Sequence, residues 1–93
     1  MREVTSRYKF VVKSPTVMQD YICLHWLVPK HEIRDFHHKI PVGEVWVRED
    51  IWKHPFKHGR LKVHETTELK YMLKYGEPYQ KAHKKAEIAD GLL

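Results

Sequence analysis

"VHETTELKYMLKYGEPYQKAHKKAEIADG", Val63–Gly91, decides the fold class. From about Arg60 the apolar residues change period, and Leu61, Leu69, Met72 and Leu73 recur at helical spacing. Gly76 stands where a C-terminal cap belongs, and Pro78 suits the first turn of a second helix running to about Asp90. A turn this short makes the two helices antiparallel neighbours.

The residues upstream read differently. Arg7–Lys13, "RYKFVVK", alternates and is rich in β-formers, which predicts a strand. "DYICLHWLV", Asp20–Val28, is a second β-prone run closed by Pro29. Lys30–Ile40 fits either a short helix or a further strand. Glu44–Glu49, "EVWVRE", alternates as a clear strand, and Asp50–Gly59, with Pro55 and Gly59, reads as an irregular connection. Strands followed by a helical hairpin predict an α+β fold: a small antiparallel sheet, then the hairpin. At 93 residues the chain fits a single domain spanning 1–93, mainly strands over 1–50 and hairpin over 60–90.

Composition narrows the function. No run is apolar enough for a membrane span, and the charged N-terminus lacks the apolar stretch of a signal peptide. A cytoplasmic protein is expected, and the single Cys23 agrees, since it leaves no internal disulfide framework. A net charge of +5 permits an acidic partner. The basic residues are spread out, so a solvated basic surface and a nucleic-acid partner both remain open. A short domain also leaves apolar surface that a homodimer would cover. The absence of Asn beside plentiful Lys and Glu leans towards a thermophilic source. The eight histidines are the anomaly. Imidazole is the commonest metal ligand and the acid–base group of neutral pH.

A helical wheel locates three polar residues on the face that should be buried. With Leu61 at zero, the apolar arc centres near about +50°; Glu65 falls at about +40°, Glu68 at about −20° and His64 at about −60°. Lys70 and Lys74 fall on the far side. A buried carboxylate needs a partner or takes up a proton. A cation would neutralise both carboxylates, and His64 and Glu68 have the i, i+4 spacing by which one helix grips one ion. On the second helix His83 shares a face with Tyr79, Ala82 and Ala86, and small residues permit close approach. His64, Glu68 and His83 then form a His₂Glu set, the ligand type of several zinc sites, with one position left open. Glu65 follows the first ligand directly and occupies the general-base position. The other histidines carry blander expectations: His25 a satisfied sheet residue, His54 and His58 solvated loop residues, and His37 and His38 on opposite sides of a strand.

"HETTE" resembles the H-E-x-x-H helix of zincin metallopeptidases, with Glu68 in place of the second His. More closely, "GEVWVRED…VHETTELKYMLKYGEPYQKAHKKAE" is similar to small uncharacterised phage and prokaryotic proteins. They share an "EVWI"-like strand, "HE-x-x-E" and "M-x-x-x-G-x-x-Y-x-x-AH-x-x-A". The similarity covers Gly43–Glu87. It implies a zincin-like layout with His64 as metal ligand and Glu65 as base. It also implies an edge strand at Glu44–Arg48 that aligns an extended substrate. Trp46, on that strand, and Tyr79, on the His83 face of the second helix, are candidate binding residues. The expected activity is a zinc-dependent hydrolysis of a peptide or amide. The alternative is a non-enzymatic viral or mobile-element accessory module whose basic surface meets a protein or nucleic acid.

Overall fold

A computed structural model describes residues 7–91. The fold is α+β: a three-stranded sheet with short helices, and two packed C-terminal helices. The chain divides into two compact units, Arg7–His54 and a C-terminal unit beginning at Pro55.

In the first unit β1 (Lys9–Lys13), β2 (Cys23–His25) and β3 (Glu44–Arg48) form a sheet of order β1-β3-β2. The sheet is mixed. β3 pairs antiparallel with β2, as expected, but parallel with β1, in register Lys9↔Glu44 to Lys13↔Arg48. β3 is therefore the central strand, and this corrects the expectation of an edge strand at Glu44–Arg48. Both its hydrogen-bonding sides are taken, so no extended substrate can add to it. Val45, Trp46 and Val47 are all buried, as befits a strand covered on both faces.

The strands are also shorter than the β-prone runs. Asp20–Val28 contributes only Cys23–His25. The "SPT" punctuation starts a helical turn, α1 (Pro15–Met18), whose N-cap Ser14 accepts from the Val17 N–H at 3.3 Å. Lys30–Glu32 is a single 3-10 turn, which settles the ambiguity over that segment. Asp50–Gly59 is more regular than expected: α2 (Glu49–Trp52) occupies its start. Two carboxylates in the first turn of α2 suit the helix dipole.

The core of this unit gathers Met18, Leu24, Val28, Phe36, Ile40, Val45, Val47 and Ile51. Phe36 meets Tyr21 and Trp46 edge-on, a geometry favoured by the ring quadrupoles. His25 is buried and accepts from the Leu27 N–H through Nδ1 at 3.2 Å, in keeping with a satisfied sheet histidine. His37 and His38 are exposed, in a segment that forms no strand.

In the second unit α3 (Lys57–Leu73) and α4 (Tyr79–Ala89) pack against each other. α3 starts three residues before Arg60 because Gly59 falls within its first turn, where unpaired N–H groups make the helix tolerant. His58 is accordingly helical and, like His54, half-buried rather than solvated. α3 ends at a turn in which Gly76 has φ +67° and the Glu77 N–H returns to the Tyr71 carbonyl at 3.0 Å. Pro78 then sits at the N-cap of α4 with extended backbone. No helix among the described residues is long and apolar enough to cross a membrane.

Candidate metal centre

The buried residues of α3 are Leu61, Glu65, Glu68 and Leu69. Their spacing is that of a helix face, but two of the four are carboxylates. On α4 the buried pair is Ala82 and Ala86, both fully inaccessible. Two methyl side chains at i, i+4 let the helix axes come close, and that proximity brings His83 within reach of α3.

Three donor atoms converge there. His83 Nδ1 lies 2.7 Å from Glu68 Oε2, His64 Nε2 lies 3.4 Å from the same oxygen, and the two imidazole nitrogens are 3.2 Å apart. The expected trio of His64, Glu68 and His83 thus meets at one point, as a possible set of metal-holding atoms. Zinc bonds of about 2.0–2.1 Å to nitrogen and oxygen imply about 3.3 Å between neighbouring ligands of a tetrahedral ion. The observed triangle is close to that size, its shortest edge being hydrogen-bonded. Without a metal, both imidazoles can donate to Glu68 Oε2, which has lone pairs for two N–H groups; a cation at the centre would take the place of those protons and engage all three atoms as ligands.

The far side of each ring is also provided for. His64 Nδ1 is 2.6 Å from Asp90 Oδ2, and the Asp90 side chain is almost wholly buried. With Nδ1 directed at the Asp90 carboxylate, which can only accept, Nε2 is the nitrogen that faces Glu68 and His83. His83 Nε2 points towards Glu87 Oε2 at 3.6 Å, one turn on along α4. Each imidazole thus has a carboxylate on its far side, the arrangement that supports histidines able to ligate a metal.

Arg60 holds the end of α4 in place. Its Nε and guanidinium N–H donate to the carbonyl oxygens of Asp90 and Gly91 at 3.3 and 3.2 Å. A cation at a helix C-terminus also meets the negative end of its dipole. Because the helices are antiparallel, the start of α3 lies beside the end of α4, and Arg60 and His64, one turn apart, engage the same residue.

Electrostatics follow from this crowding. Burial pushes the His64 imidazole down, but the Glu68 hydrogen bond, the Glu65 charge and the Asp90 hydrogen bond outweigh it and raise its pKa from 6.5 to about 9. At neutral pH, with no metal bound, a proton on His64 supplies part of the positive charge that the carboxylates require.

Glu65 Oε2 stands 3.9 Å from His64 Nε2, beside the trio rather than in it, and its side chain is buried. Tyr79 stacks on His83, ring centroids 5.3 Å apart and planes at 25°, so it braces that imidazole. Trp46 belongs to the other unit, where it is buried, donates its indole N–H to Glu44 Oε1 at 2.8 Å and lies under the Lys13 ammonium. Its polar handle and one ring face are thereby occupied. Asp90, Glu87 and Arg60 are additions to the residues expected from sequence. The signal for two of them was present: Glu87 and Asp90 follow His83 by one and two helical turns, on the same face.

No family model, curated protein or solved structure matches this chain.

Proposed function

We propose that the C-terminal hairpin binds one divalent cation, zinc being the ion its two imidazoles and carboxylate suit. His64 Nε2, Glu68 Oε2 and His83 Nδ1 are the ligands, Asp90 and Glu87 orient the imidazoles, and Tyr79 packs against His83. The observation that carries this reading is the convergence of three donor atoms from two helices within 3.4 Å of one another, with a buried carboxylate behind His64.

Three protein ligands leave a coordination position open, as in catalytic rather than structural zinc sites. The reaction class proposed is hydrolysis of a peptide or amide bond, in which the bound ion supplies Lewis acidity. Glu65, adjacent to the ligand set, is the residue placed to accept a proton. The zincin-like resemblance of "HETTE" supports the same assignment.

Elemental analysis of purified protein tests the metal reading. About one zinc per chain is expected, with loss of zinc in His64→Ala. Full metal content in His64→Ala/His83→Ala overturns it. Hydrolytic activity that survives Glu65→Gln overturns the role given to Glu65.

A further inference from the structure

Charge on the hairpin is sorted. Of the five acidic residues between 55 and 91, Glu65, Glu68, Glu87 and Asp90 all approach the two imidazoles. The fifth, Glu77, is bound by Lys85 at 2.6 Å. The same span carries eight Lys and Arg residues. Lys70, Lys74, Lys81 and Lys84 are exposed and, among the described residues, pair with no carboxylate. Four of the five acids gather at the two imidazoles, and Lys70, Lys74, Lys81 and Lys84 are left on the outside of the hairpin.

Two tyrosines lie among these amines. Tyr71 on α3 and Tyr75 in the turn just beyond it have ring centroids 5.5 Å apart and planes at 34°. The Lys85 ammonium reaches across from α4 to sit 4.4 Å from the Tyr71 centroid, and Lys70 and Lys74 lie 5.6 and 5.7 Å from the Tyr71 and Tyr75 centroids. Lys81 precedes Lys85 by one turn and so extends the stripe along α4. Tyr75 is 55% exposed, far more than an aromatic side chain with only a packing role.

We propose that this face, made by Lys70, Lys74, Lys81, Lys85, Tyr71 and Tyr75, binds single-stranded nucleic acid. Lys70, Lys74 and Lys81 contact phosphates, Lys85, already paired with Glu77, holds the Tyr71 ring, and a base stacks on Tyr75. Unneutralised amines beside an exposed aromatic ring are what a strand with regular charge and π-faces requires. An acidic peptide would satisfy the amines but give the rings nothing to stack on, and a duplex hides the faces of its bases. The proposal is independent of the metal reading, because none of the six residues is a ligand.

The test is fluorescence anisotropy of a labelled oligothymidylate of about twelve nucleotides, titrated with the full chain in low salt and EDTA, so that a failure of metal binding does not enter. Saturable binding is expected. The slope of log K against log salt should fall by about 2 in Lys70→Ala/Lys74→Ala/Lys81→Ala, at about 0.7 per phosphate contact. Tyr75→Ala should weaken binding about tenfold, and Tyr75→Phe, which keeps the ring, should bind as wild type does. No binding at the lowest salt overturns the proposal. So does a Tyr75→Ala variant, folded by circular dichroism, that binds unchanged. Displacement by polyglutamate at matched charge also overturns it and points to an acidic protein instead.

Discussion

His64 Nδ1 and Asp90 Oδ2 lie 2.6 Å apart, joining the middle of α3 to the C-terminal end of α4. This contact decides which nitrogen of His64 faces the other donors. Removing the acceptor with Asp90→Ala should lower zinc affinity by about 10–100-fold, the usual cost of losing an outer-shell partner. Asp90→Asn, whose amide oxygen can still accept from Nδ1, should lose less. Competition titration with a chromophoric chelator separates the two variants. Equal affinity for wild type and Asp90→Ala would remove Asp90 from the site.

The raised pKa of His64 gives stability and metal binding opposite pH dependences. In the metal-free protein the folded state holds a proton up to about pH 9, whereas the unfolded chain releases it near 6.5. The stabilisation is fully present below pH 6.5 and is lost as pH rises through about 9. Urea unfolding in EDTA should therefore show stability falling across that window in wild type and a flatter profile in His64→Gln. Zinc must displace the same proton from Nε2, so its affinity should rise across the window. Calorimetry at neutral pH in buffers of different ionisation enthalpy should report release of about one proton per ion.

The contrast between the two halves shows what a single sequence makes visible. Helical periodicity depends only on neighbours along one chain segment, so α3, α4, their turn and the His64–Glu68–His83 grouping were all legible. The place of Glu44–Arg48 in the sheet depends on partners remote in sequence, and nothing in "EVWVRE" distinguishes a central strand from an edge one; that Val45, Trp46 and Val47 are all buried emerges only in the folded sheet. The parallel pairing with Lys9–Lys13 was hidden for the same reason. Arg60 was not legible because it donates to the backbone carbonyls of Asp90 and Gly91, and a contact to backbone leaves no residue pattern.

Gly76 is required by conformation rather than by space. Its φ of +67° closes α3, and a Cβ there would meet nothing within 4 Å. Gly76→Ala should cost about 1 kcal/mol through left-handed backbone alone, with zinc content unchanged. Chemical denaturation measures it, and an unchanged midpoint would show that the turn relaxes without the positive φ.

Gln19 is the converse case. At φ 57° and ψ −126° it is the one non-glycine with positive φ among the described residues. The Tyr21 N–H donates to the Met18 carbonyl at 3.1 Å, so Gln19 and Asp20 are the central residues of a type II′ turn. Its first central position is a glycine site. The side chain is exposed, and Arg48 bonds to the backbone carbonyl of Gln19, not to its amide, so the substitution Gln19→Gly keeps that contact. Relief of about 1–3 kcal/mol of backbone strain exceeds the added unfolded-state entropy of glycine, about 0.5–1 kcal/mol. Gln19→Gly should therefore stabilise the protein by about 1 kcal/mol, a rise in Tm of about 4–8 °C for a chain this size. Gln19→Val, β-branched and unable to accept the positive φ, should move Tm the other way. Variants that order Val above Gly in a thermal melt would mean that Gln19 does not hold this backbone conformation.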